Sequence, residues 1–181
     1  MSQHRSDALL TKGEELASAL RPAWVDVDLD ALGHNLQVIR RQTPGTRLMA
    51  VVKADAYGHG AAAVSRALAG AGVDWLGVAL LEEGAKIRRA GVETPILVLG
   101  TARPAKIALY QRYRLVPTVS SLAELGLWRD WVGTRAEPQP IHLKVDTGMG
   151  RLGVAVERAP ELVREATSSG IQVVGLMTHL A

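Results

Sequence analysis

The sequence predicts an α/β protein built on a parallel sheet. Strand-like apolar runs alternate with segments of helical apolar spacing from residue 24 almost to the end of the chain, and turn residues punctuate the junctions. With 181 residues, 48% of them apolar and 22% charged, the chain is long enough to bury one substantial core.

The elements follow in order. Residues 24–28 read as the first strand, and residues 30–41 as a helix with Asp30 as its N-cap. Thr43-Pro44-Gly45 is a turn signal ahead of a β-branched run at 47–52, the second strand. Gly58 and Gly60 break the chain before a helix at 61–71, and a strand at 75–78 follows. A helix at 81–90 is closed by Gly91, and 96–99 is a short buried strand. Pro104 starts a helix running to 110, and 115–119 is a strand. Ser121-x-x-Glu124 is a capping box for a helix to 131, and 133–140 is a loop. A strand at 141–145, a helix at 157–169 with Pro160 in its first turn, and a strand at 173–177 complete the chain. Six strands thus come after the first. A doubly wound sheet accommodates this order, and so does part of a (β/α)8 barrel, which needs about 250 residues and eight strands to close.

Composition excludes several classes of function. The chain has no cysteine, so disulfides and thiolate metal sites are ruled out, and a reducing cytoplasm is the expected compartment. Residues 1–21 contain Lys12, Glu14, Glu15 and Arg21 and lack the apolar core of a signal peptide; they read as a polar leader. No run approaches the roughly 18 apolar residues of a membrane span. The net charge of +3 is spread along the chain, and with aromatic content at 4% there is no stacking platform for nucleic acid.

The chemistry collects at strand ends. Alternation along 47–52 sets Met49, Val51 and Lys53 on one face and Leu48, Ala50 and Val52 on the other. If helices cover the second face, Lys53 points into whatever the sheet encloses. A lysine held away from water loses its preference for the charged form, and the free amine is a nucleophile toward an aldehyde. On position alone, Lys53 is equally a strand-end lysine with its stem buried and its ammonium in water. A second cluster lies in HLKVDTGMGRLG, residues 142–153, where His142, Lys144 and Asp146 share a face opposite Ile141, Leu143 and Val145. Three polar groups facing a sheet interior are costly unless they serve a site; a half-exposed strand is the alternative. The third is the end of the last strand, where Val173, Gly175, Met177 and His179 share a face.

VVKADAYGHG at 51–60 resembles the pyridoxal-phosphate lysine motif of the alanine racemase family almost without interruption. KVDTGMGR at 144–151 is similar to a second motif of that family, GLMTH at 175–179 to a third, and RPAW at 21–24 with His34-Asn35 to its opening. The resemblance runs from about residue 21 to the end and favours the barrel. It implies a truncated (β/α)8 barrel over 22–181, with about six of eight strands present and the family's C-terminal β domain absent.

It further implies that pyridoxal phosphate is held by Lys53 as an aldimine, with Tyr57 at its phosphate. Arg151 would bind near the cofactor's phenolic oxygen and the substrate carboxylate. Lys144 would be the lysine that the family can carry carboxylated, orienting that arginine. His179 would support the ring through an arginine beyond Ala181. No metal is implied.

The expected activity is interconversion of L- and D-alanine by two bases, supplying D-alanine for peptidoglycan in a cytoplasmic homodimer. Lys53 is one base. The family's other base is a tyrosine of the C-terminal domain of a second subunit, to which Tyr57, Tyr110 and Tyr113 do not correspond, so the chain is expected to be a fragment inactive alone. A decarboxylase of ornithine type, a broad-specificity amino-acid racemase and a non-catalytic pyridoxal phosphate homeostasis barrel are the alternatives.

Overall fold

The computed structural model describes residues 25–102, 106–132 and 139–181. The expected polar leader at 1–21, Trp24, Pro104 and most of the expected loop at 133–140 lie outside the described residues.

Among the described residues, seven parallel strands form one sheet. The elements are α1 (Leu29–Gln42), β1 (Met49–Val51), a single turn at Lys53–Tyr57, α2 (Ala61–Gly70), β2 (Trp75–Val78), α3 (Leu81–Arg89), β3 (Ile96–Thr101), α4 (Ile107–Arg112), β4 (Leu115–Val119), α5 (Leu122–Val132), β5 (Pro140–Asp146), the two-residue β6 (Val154–Ala155), a 3-10 turn (Val156–Arg158), α6 (Ala159–Ser168) and β7 (Gln172–Met177). Strands β1 to β5 pair consecutively; β7 then pairs with β5, and the short β6 pairs with β5 near its end. The outer edges of β1 and β7 do not pair with each other.

The convex face of the sheet carries Val52, Leu76, Val78, Ile96, Leu115, Ile141 and Leu143, all buried. Against them pack Leu68, Ile87, Leu125, Trp128 and Leu162 from the helices, forming one continuous core. The other face curls inward. Trp75 in β2 and His142 in β5 bring their rings to 5.4 Å, although three strand spacings in a flat sheet would separate them by about 14 Å. Thr118 in β4 donates its hydroxyl to the Met177 sulfur in β7 at 3.8 Å, reaching past β5. A doubly wound sheet brings no such residues together; an incompletely closed barrel does.

Several boundaries differ from the sequence reading. Residues 25–28 form no strand, and Val25 is 74% exposed. Asp28, not Asp30, caps α1: the backbone at 28 is still extended, and its carboxylate accepts the Ala31 N–H at 2.9 Å, while Asp30 sits in the first turn. Ser121 accepts the Glu124 N–H as the capping box requires, but the Glu124 carboxylate returns to Ser120 instead of Ser121. The last helix begins as a 3-10 turn before Ala159. The pair Val154–Ala155 had no strand signal, being too short for alternation to show.

Two glycines are fixed by close approach. A Cβ on Gly153 would lie 2.5 Å from the Asp146 N, so only glycine lets β6 run against β5 there. A Cβ on Gly175 would lie 2.4 Å from His142 Cε1, so the missing side chain is the space the imidazole occupies.

Candidate active site

All strands are parallel, so the residues that follow them gather at one end of the sheet. Lys53 follows β1, Arg151 lies in the loop after β5, and His179 stands two residues beyond β7. In an α/β barrel this C-terminal edge is where sites are built.

Lys53 opens a turn of unusual hand. Ala54, Asp55, Ala56 and Tyr57 have φ of +51°, +54°, +55° and +56°, the left-handed helical region. Each non-glycine residue there costs roughly 1–2 kcal/mol, so the conformation persists only where surrounding contacts enforce it. Within the turn the Ala56 N–H donates to Val52 O at 3.0 Å and the Gly58 N–H to Ala54 O at 3.1 Å, while Ala56 is buried in the core. Asp55 accepts the Ala61 N–H at 2.8 Å and so caps α2 from six residues upstream. Glu83, from α3, accepts the Ala54 N–H at 2.7 Å through Oε1, and through Oε2 the Ala79 and Leu80 N–H groups at 2.8 and 3.0 Å.

The consequence is a paired presentation. Lys53 Nζ lies 6.0 Å from the centroid of the Tyr57 ring, and Tyr57 is 59% exposed.

The second group surrounds Asp146. Its Oδ1 accepts the Gly148 and Gly150 N–H groups at 2.9 and 3.1 Å, and these donors hold its carboxyl below the usual carboxylate range. The carboxylate thereby shapes the loop that carries the exposed Arg151. Lys144 is only 6% exposed; burial pushes its pKa down, the Arg151 charge adds to this and Asp146 opposes it. Thr147 and Thr178 hydroxyls meet at 2.6 Å, joining this loop to the end of β7 just before His179, which is exposed.

His142, on the same face as Lys144, is different in kind. Both ring nitrogens are buried without a hydrogen-bond partner among the described residues, and burial, with the Arg47 charge, lowers its pKa from the ordinary 6.5. The folded state therefore binds this proton less readily than the unfolded chain. Stability should fall as pH drops from about 6.5 through the lowered folded value, and become independent of this group below it. His142→Leu is expected to flatten that part of a plot of urea midpoint against pH; an unchanged slope would exclude the imidazole as its source.

Residues 27–181 match the family described as "Alanine racemase, N-terminal domain". The chain belongs to this family. The alanine racemase of Symbiobacterium thermophilum is 42% identical over 173 residues, a match covering 90% of this chain and 43% of that protein. Among solved structures, an alanine racemase of Clostridium difficile 630 in complex with cycloserine superposes with a TM-score of 0.82 at 32% identity, covering 89% of this chain and 45% of that one. A histidine racemase from Leuconostoc mesenteroides gives 0.78 at 28% identity, over 84% and 42%. The chain thus spans less than half the length of these relatives, and the barrel it forms is of their type.

In this member of the alanine racemase family, the sequence signals fell on the lysine turn, the 144–151 loop and the end of β7. Glu83 and Asp55 carried none: a glutamate at the third position of a helix usually serves only its own N-terminus. Among the described residues no helix is long and apolar enough to cross a membrane, and no group of three or more His, Cys, Asp or Glu side chains is arranged to hold a metal.

Proposed function

We propose that this chain carries the cofactor-binding half of a racemase acting on alanine, with pyridoxal phosphate as cofactor. The observation that supports it best is the strained left-handed turn, which presents Lys53 and Tyr57 together at the mouth of β1 in a chain of this family. The donor set suits the group: an amine to bond the aldehyde, and a phenol beside it for the phosphate. Arg151 offers a fixed fork of donors for a carboxylate, and His179 lies at the same edge. The chemistry that pyridoxal phosphate supplies when bound is electron withdrawal from the α-carbon of an amino acid.

The chain's own residues divide the remaining work. Lys53 Nζ, the amine that would hold the cofactor, would also take or return the α-proton from one side. Arg151 orients the substrate. The like-charged neighbour of buried Lys144 supports carboxylation of that lysine, since a carbamate would turn repulsion of Arg151 into attraction. The second base does not come from Tyr110, buried behind the sheet, nor from Tyr113, whose hydroxyl accepts from Arg89. Tyr57 stands on the same turn as Lys53. The whole enzyme is proposed to be a cytoplasmic homodimer that supplies D-alanine for peptidoglycan, its opposing base coming from outside these 181 residues. The likeness to a histidine racemase keeps a broader substrate range as the second reading.

One base exchanges a proton on one face; inversion needs two. Residues 1–181, incubated with pyridoxal phosphate and, separately, L-alanine and D-alanine in deuterium oxide, are expected to place deuterium at the α-carbon of one of the two enantiomers without inverting it. Absence of exchange with both enantiomers above a Lys53→Ala control would overturn the assignment, and rapid formation of the opposite enantiomer would overturn the need for a base from elsewhere.

A further inference from the structure

We propose that Glu83 is the positioning residue for Lys53: one carboxylate clamps the first amide of the lysine turn to the mouth of the neighbouring strand. The inference rests on the reading of Lys53 as the cofactor-binding amine. It begins from a problem that the turn poses. A left-handed turn needs an external acceptor for its leading N–H, as any helical turn does, and it needs a fixed partner because its own backbone disfavours it. Ala54, the residue after Lys53, has that N–H, and Glu83 Oε1 accepts it from 29 positions away in sequence.

The other oxygen fixes the clamp. Oε2 accepts the Ala79 and Leu80 N–H groups at the start of α3. The bond to Leu80 is the glutamate half of a capping box; Leu80 has no side-chain acceptor to give the other half, and a cap alone would occupy one oxygen and leave the second in water. Here the second oxygen crosses to the next βα loop.

The base of the clamp is rigid. Leu81, Ala85 and Ile87 anchor α3 in the core, and at the far end Arg88 donates to the carbonyls of Val92, Thr94, Tyr113 and Arg114. The position of Ala54, and so the origin of the Lys53 side chain, is set from α3. The bonds of Asp55 and His59 stay within the turn and its own following helix and cannot do this.

The test compares Glu83→Ala and Glu83→Gln with the unaltered chain in two measurements. The first is hydrogen exchange of the Ala54 amide. The second is the yield of pyridoxal phosphate fixed by borohydride on Lys53, relative to Lys86 and Lys106 in the same sample. Displacement of a reacting group by an ångström costs up to about a hundredfold, so Glu83→Ala should lose at least about tenfold in Lys53 selectivity and lose Ala54 protection. Glu83→Gln, which keeps one acceptor oxygen, should lie between, and it also serves if the alanine variant does not fold. General destabilisation lowers the unfolding midpoint without changing selectivity among lysines of the folded protein. A folded Glu83→Ala with wild-type exchange and selectivity overturns the proposal. If the unaltered chain shows no preference for Lys53, the proposed function fails by itself; the clamp is then decided by Ala54 exchange alone, retained protection in Glu83→Ala overturning it and lost protection upholding it.

Discussion

Replacing Lys53 with alanine is expected to reduce covalent retention of pyridoxal phosphate to the background at Lys86 and Lys106 and to reduce α-proton exchange on alanine by about 10²–10⁴-fold, the usual contribution of one positioned base. The effect should be this large because Lys53 is assigned two tasks, bonding the aldehyde and moving the proton, and no second amine shares its position among the described residues. The other lysine on the interior face, Lys144, sits in β5 against Arg151 and Asp146. Lys53→Arg separates the tasks from simple charge. The guanidinium stays cationic and forms no stable bond to an aldehyde, so a variant that retains a positive group should be as inactive as alanine. Retention of the cofactor on one other lysine of borohydride-treated Lys53→Arg, well above the background at Lys86 and Lys106, would place the covalent site elsewhere.

The parts legible in sequence were those where one local pattern dominated. Trp75–Val78 was bounded to the residue, because an apolar run between turn signals has few other readings. The N-cap of α1 was not, since Asp26, Asp28 and Asp30 all stand around its start; which of them caps depends on where the backbone leaves extended geometry, and a string of letters does not contain that. The turn after Lys53 was illegible for a stronger reason. Ala54 and Ala56 favour right-handed helix, and the hand they adopt is imposed by contacts from outside the segment, including a carboxylate on α3. Curvature of the sheet was equally hidden. Strand order and alternation suit an open sheet or a barrel; only the meeting of Trp75 with His142 and of Thr118 with Met177 distinguishes them, and these pairs lie 59 or more residues apart. Family resemblance supplied the barrel before the structure did, and it did so through residues of the rim.

Trp128→Ala should cost about 3–5 kcal/mol of unfolding free energy, a large share of the roughly 5–15 kcal/mol typical of a domain. Trp128 is 1% exposed and sits between two other rings, 5.4 Å from Tyr110 at 83° and 6.2 Å from Trp131 at 78°. Its removal forfeits both apolar burial and two edge-to-face contacts, each worth about 0.5–1.5 kcal/mol. The ring is also what helps seal Tyr110, whose phenol is pushed up to about 12 by burial first and by Glu82 and Glu124 second. A cavity beside it admits water, so the Tyr110 pKa should move back toward 10 in the same variant, measured by ultraviolet titration of the folded protein. The two results constrain each other: a large loss of stability with Tyr110 still near 12 would mean that the site collapses without opening, and a small loss with Tyr110 near 10 would mean that α4 and α5 draw little of their stability from this contact. Trp128 lies on the convex, helix-covered side, away from the strand ends, so the folded variant should keep its Lys53 selectivity for pyridoxal phosphate. That makes Trp128→Ala the control that separates loss of fold from loss of site in the Lys53 and Glu83 measurements.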